Sequence, residues 1–197
     1  MKRHKTQGHK DTRHTTHDAK TEEVLCAGFG GQGIMFMGKI LAHAALLEGK
    51  NVTWMPSYGA EVRGGTAHSM TKISTEYIAN PVVTKPTTCI AMNSPSLVKY
   101  EGLVTAGGLL IVNRSLIERA PTRKDIDIIT IPMTGIASSL GAIRVANMVG
   151  LGAYIKRKRT LAKQTIIAAL REAMGGKEEL LALNRQAFEK GYALARG

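Results

Sequence analysis

Cysteine is scarce in this chain. Among 197 residues there are two, Cys26 and Cys89. An iron–sulfur cluster usually takes four thiolates, so this chain alone cannot hold an ordinary one. Each cysteine sits inside an apolar run, VLCAG or TCIAM, which marks both as buried free thiols in strands. No C-x-x-C, H-E-x-x-H or calcium-loop spacing occurs, so no metal site is expected. Long apolar runs are also missing. None approaches the ~18–20 residues that cross a bilayer, and the N-terminus lacks the apolar core of a secretory signal. A cytoplasmic chain with no membrane partner is the expectation. Aromatic residues make up 5%, too few for a base-stacking platform. That weighs against nucleic acid, which a net charge of +12 would otherwise suggest. The charge is also spread out. Residues 1–20 carry six Lys/Arg and two Asp, a net +4, and the body carries the other +8. A second basic cluster, Lys156-Arg157-Lys158-Arg159, falls at an expected helix end, where the helix dipole favours cations. The basic surface therefore points to acidic partners or anionic ligands.

Hydrophobic residues make up 44% and charged residues 21%, enough for one well-packed domain. Residues 1–22 have almost no apolar side chains and read as a flexible basic tail. Residues 23–197 read as a single domain. A strand is expected at Glu23–Ala27, a helix over 33–48 stopped by Gly49, and a short strand at Asn51–Met55. Further strands are expected at Thr66–Ser74, Cys89–Met92, Gly108–Asn113 and Asp127–Pro132, with a helix at Ser94–Tyr100. Residues 134–155 read as one long helix rich in Gly and Ala. Two more helices, 160–173 and 177–195, are divided by Gly175-Gly176. This order predicts a three-layer α/β fold with a mixed sheet and C-terminal helices.

The apolar run at 24–27 ends in Gly28-Phe29-Gly30-Gly31-Gln32-Gly33, the G-x-G-x-x-G of a dinucleotide-binding turn. Such a turn binds anions because the first helical N–H groups lack acceptors and glycine admits a phosphate to the backbone. A second reading is that Gly30 and Gly33 only permit tight strand–helix packing. A dinucleotide site also needs a carboxylate about 20 residues on, at the end of the second strand. Here that strand ends Val52-Thr53-Trp54-Met55-Pro56, without one. No Gly-Lys-Ser/Thr closes the turn, so it is not a P-loop either.

The loop after the second strand carries more chemistry. Ser57-Tyr58-Gly59-Ala60-Glu61-Val62-Arg63-Gly64-Gly65 offers a hydroxyl, a phenol, a carboxylate and a guanidinium on a glycine-rich frame. It lies where α/β sheets place ligands. Glu61 and Arg63 either pair with each other or Arg63 meets an anion or a partner carboxylate. No evident base stands near a nucleophile, which argues against a self-contained hydrolase. His68 reads as a strand residue rather than a base.

GFGGQG followed by SYGAEVRGGTA resembles the gamma subunit of the 2-oxoacid:ferredoxin oxidoreductases. The resemblance runs on through Ile73-Ser74, Ile90-Ala91-Met92-Asn93, Gly107 to Asn113, and Arg144 to Ala153, covering about 24 to 195. The family's second loop commonly has Pro where Ala60 stands, and often Asp where Thr88 stands. The resemblance implies a Rossmann-like domain in a multi-subunit enzyme. That enzyme decarboxylates a 2-oxoacid on thiamine diphosphate, reduces ferredoxin through iron–sulfur clusters and passes the acyl group to coenzyme A. Thiamine diphosphate with magnesium, and the clusters, would sit on alpha, beta and ferredoxin-like delta partners. This chain would bind none of them alone and would not catalyse alone, though coenzyme A could touch it. By this resemblance the site is lined by Gly28, Gly30, Gly31, Gln32 and Gly33 with Ser57, Tyr58, Gly59, Glu61, Arg63, Gly64 and Gly65. Asn147 either faces the interface or packs a helix. The Asn113–Ile117 segment and the VANMVGLGA helix look closer to the 2-oxoglutarate or 2-oxoisovalerate branch than to pyruvate enzymes. Two alternatives stay open: the small subunit of an indolepyruvate oxidoreductase, and a stand-alone NAD-binding protein.

Overall fold

Apolar runs separated by glycine turns build a six-stranded mixed sheet, seen in a computed structural model that describes residues 21–57 and 67–195. The tail at 1–20 and the loop residues Tyr58, Gly59, Glu61, Arg63, Gly64 and Gly65 lie outside the described residues. The elements run β1 (Thr21–Gly28), α1 (Ile34–Leu47), β2 (Asn51–Ser57), β3 (Ala67–Ser74), β4 (Thr88–Ala91) and α2 (Ser94–Tyr100). They continue with β5 (Leu109–Asn113), β6 (Asp127–Ile131), α3 (Met133–Ser139), α4 (Ala146–Lys158), α5 (Lys163–Met174) and α6 (Glu178–Leu194). The strand order is β2-β3-β1-β4-β5-β6. Strands β1, β4, β5 and β6 are parallel, and β3 runs antiparallel between β1 and β2. This is the mixed α/β architecture expected.

The central strands β1, β4 and β5 are buried on both faces by alternate side chains. Val24, Cys26, Ile90 and Ile111 join the larger core under α1 and α4. Leu25, Ala27, Cys89, Ala91 and Leu110 join the smaller core under α2. The two cysteines are free and buried as expected, but on opposite faces. Among the described residues no helix is long and apolar enough to cross a membrane.

Several boundaries differ from the sequence reading. β2 runs on to Ser57, which was expected in the loop, and α5 starts at Lys163 and not at 160. Two further differences have a clear cause. Thr21 and Glu22, assigned to the tail, open β1. Glu22 is buried: its carboxylate accepts from Thr88 Oγ1 at 2.6 Å and lies 3.2 Å from Lys158 Nζ. A strand end sealed by such partners can start with a polar residue, which composition alone cannot reveal. The expected long helix at 134–155 is broken. Gly141 takes the left-handed region (φ 80°), its N–H donates to Ser138 O, and Ala142 N–H donates to Ala137 O. That double bond pattern is a Schellman stop, so α3 ends there and a short 3-10 turn at 143–145 leads into α4. The run of small residues hid the one glycine that stops the helix.

Candidate functional site at the carboxyl edge of the sheet

The parallel strands end at one edge, and β2 ends there too, because it is antiparallel to β3. The register fixes the neighbours. Ser57 pairs with His68, His68 with Ala27, and Ala67 with Gly28. β3 therefore begins beside Gly28, where the glycine turn starts, and β2 ends in Ser57 two strands from β1, roughly 10 Å away. Gly28 and Ser57, the described residues that border the two stretches singled out from the sequence, both lie at this edge.

The glycine turn is ordered by its own side chain. Gln32 N donates to Phe29 O at 3.2 Å, closing a turn whose third residue, Gly31, has φ 87°. That is the type II pattern, which calls for glycine there. Gln32 Oε1 folds back to accept from Phe29 N at 2.7 Å and, more weakly, from Asn93 Nδ2 at 3.4 Å. Gly28 and Gly33 are structural. A Cβ on Gly28 would stand 2.5 Å from Gln32 Oε1, and one on Gly33 would stand 2.3 Å from Asn147 Nδ2. Gly30 differs: a Cβ there would meet nothing within 4 Å. The packing reading thus holds for Gly33 and not for Gly30. Gly30 and Gly31 present open backbone next to the positive end of α1, an arrangement that can receive an anion.

Three buried asparagines latch this edge. Asn93 caps α2, its Oδ1 accepting from Ser96 N at 2.9 Å. Asn113 Nδ2 donates to Met92 O at 3.1 Å and to Thr134 Oγ1 at 2.9 Å, tying the ends of β4, β5 and β6. Asn147 Nδ2 donates to Gly33 O at 3.0 Å. Its side chain is buried and holds the glycine turn from behind, the helix-packing side of the two roles expected for it. Sequence reasoning selected Asn147 and passed over the roles of Asn93 and Asn113. Their signal is a carboxamide closing an apolar strand run, as in IAMN and LLIVN.

His68 sits in β3 and tilts against the Tyr100 ring, 5.6 Å between centroids. Burial, and then the nearby Lys99 charge, hold its imidazole below the usual histidine range. Its buried Nδ1 has no hydrogen-bond partner. The strand reading of His68 stands.

Two chemistries can be tested against these residues. An iron–sulfur cluster does not fit. Burial pushes the Cys89 thiol up to about 12 and Cys26 higher still, and the sheet separates them. A dinucleotide fits poorly as well. In the dinucleotide fold the second strand lies directly beside the first. Here β3 intervenes, so β2 is displaced by a strand and ends in Ser57 without a carboxylate.

Comparisons with known proteins agree with this geometry. Residues 23–194 match the family model of pyruvate ferredoxin/flavodoxin oxidoreductase. The ketoisovalerate oxidoreductase subunit VorA of Methanothermobacter marburgensis is 35% identical over 174 residues, 88% of this chain. The match spans only 36% of VorA, so this chain corresponds to about a third of that relative. The 2-oxoglutarate synthase subunit KorC of Methanocaldococcus jannaschii is 36% identical over 180 residues, covering 89% of this chain and 94% of KorC. The solved 2-oxoglutarate:ferredoxin oxidoreductase of Magnetococcus marinus, with 2-oxoglutarate, coenzyme A and succinyl-CoA bound, superimposes with a TM-score of 0.82. Its identity is 28%, over 89% of this chain and 31% of that one. On its sequence and its fold, this chain belongs to the pyruvate ferredoxin/flavodoxin oxidoreductase family.

Proposed function

We propose that this chain is the gamma-type subunit of a cytoplasmic 2-oxoacid:ferredoxin oxidoreductase. Its partners are alpha and beta chains and a ferredoxin-like delta chain, which pass electrons to ferredoxin. Thiamine diphosphate, magnesium and the iron–sulfur clusters belong to those partners, and two buried thiols on opposite faces support that division. The observation that carries the reading is the convergence at one sheet edge. The glycine turn leaves β1 at Gly28, which pairs with Ala67, and β2 ends in Ser57 at the same edge, two strands away. The backbone of Gly30 and Gly31 is open there. In this reading the edge completes the site where the acyl group meets coenzyme A. The turn amides or Arg63 hold one of its anionic groups, and Gln32 keeps the turn open. The coenzyme A in the Magnetococcus marinus enzyme supports that choice of ligand.

The substrate in this reading is 2-oxoglutarate, favoured by KorC, which matches at nearly full length. A branched-chain 2-oxoacid is the second reading, favoured by VorA at almost equal identity. Steady-state rates with 2-oxoglutarate and 2-oxoisovalerate decide between them.

Arg63→Ala in the assembled complex tests the site. The expected result is a KM for coenzyme A raised about tenfold or more, because a charge-assisted contact to the ligand is lost. An unchanged KM and turnover in an intact complex would remove Arg63 from the site.

A further inference from the structure

A hollow of about 310 Å³ opens beside the glycine turn, between the start of α1, the 143–145 turn and the first half of α6. Its size stands at the lower end of the ~300–1,000 Å³ range of small-molecule sites. Phe36, Val145, Leu180 and Leu183 give it apolar walls, which suit the body of a ligand. Its one charged side chain is cationic. Arg144 lines the hollow, is exposed, and makes no ion pair among the described residues. Asn147 and Asn184 also line it, and both are buried. Each donates one N–H within the fold, to Gly33 O and to Leu180 O, and each amide nitrogen carries a second N–H. The positive end of α1 adds to this at Gly33. No acidic side chain stands among the described residues that line it.

We propose that this hollow binds a small organic anion with an apolar body, of the aryl- or alkyl-carboxylate class. The carboxylate meets Arg144, and the body lies against Phe36, Leu180 and Leu183. Arg144 selects the charge and the walls select the shape. The hollow adjoins the edge formed with Ser57, sharing Gly31 and Gly33 of the glycine turn, but its Arg144 and apolar walls do not depend on the role proposed for that edge. Gly31 and Gly33 form part of the wall, so an occupant braces the glycine turn from the side.

Phenylacetate is a suitable probe, and phenylacetamide is its uncharged counterpart. Binding of each to the full-length chain is followed by ligand-observed NMR and calorimetry. Two variants attack the site independently. Arg144→Ala removes an exposed side chain that makes no ion pair among the described residues, and Leu183→Trp fills the hollow from the α6 wall. Saturable phenylacetate binding is expected, at least tenfold tighter than that of phenylacetamide and weakened at least tenfold in each variant. The proposal is overturned if phenylacetate shows no saturation up to about 10 mM. It is equally overturned if phenylacetamide binds as well, or if folded variants bind like the parent chain. The hollow would then be a socket for a side chain of another subunit.

Discussion

Gly191→Ala is expected to destabilise the fold by about 2 kcal/mol. Helices α4 and α6 touch backbone to backbone. A Cβ on Gly191 would stand 1.9 Å from Val149 O, and one on Gly152 would stand 2.1 Å from Phe188 O. Neither carbonyl can step aside without moving its helix. Overpacking of this kind costs roughly 3 kcal/mol, while alanine regains ~1 kcal/mol of helix propensity. The clash wins. Gly150→Ala is the control, because its nearest neighbour is the flexible Met133 side chain at 3.1 Å. There the two effects nearly cancel, within about 1 kcal/mol. Chemical-denaturation midpoints of the two variants and the parent chain measure the contrast. A Gly191→Ala midpoint equal to the parent's would show that the α4–α6 contact is not tight.

Glu101→Ala is expected to cost more, about 3 kcal/mol at neutral pH. Glu101 is buried at the end of α2 and organises the segment between β5 and β6. Its Oε1 accepts from Thr122 N, from Thr122 Oγ1 at 3.1 Å and from Arg123 N at 3.0 Å, while Oε2 meets Arg119 Nη2 at 2.9 Å. Burial by itself would raise the Glu101 pKa. The hydrogen bonds from Arg123 and Thr122, with the Arg119 charge, outweigh it and hold the carboxyl below the usual range. The sign of the pH dependence follows. A carboxyl whose folded pKa is depressed stabilises the fold fully above its unfolded pKa of about 4.3. That stability is lost as pH falls from there through the lower folded pKa. The parent chain is therefore expected to lose stability on acidification more steeply than Glu101→Ala, and the two curves should converge at low pH. Urea midpoints between pH 7 and pH 3 give the comparison. Parallel curves would show that Glu101 is not the group responsible.

The sequence made the elements legible where period and punctuation agreed. Gly49 stops α1 through a Schellman pattern, with Lys50 N donating to Ala45 O, and Ser94-Pro95 opens α2. It failed where one residue decided the outcome against its surroundings. Gly141 breaks what reads as a continuous helix, because composition does not show which glycine takes positive φ. Glu22 was read as tail because its partners, Thr88 and Lys158, are far away in sequence. The candidate site was legible as two motifs. Their placement at one sheet edge was expected as well; the strand order was not, with β3 running antiparallel between β1 and β2. The asparagine latches were hidden too. A carboxamide at a strand end has meaning only when the carbonyl it reaches is known, as Gly33 O is for Asn147.

The central claim is that this chain works as one wall of a site shared with catalytic partners. Gentle anaerobic co-purification from cells that make it is the most direct measurement. The expected result is a stable complex in which subunits carrying thiamine diphosphate and iron–sulfur clusters co-elute with this chain. That complex should reduce ferredoxin when given a 2-oxoacid and coenzyme A. Elution of the chain alone, with saturable binding of NAD(P)H, would contradict the account.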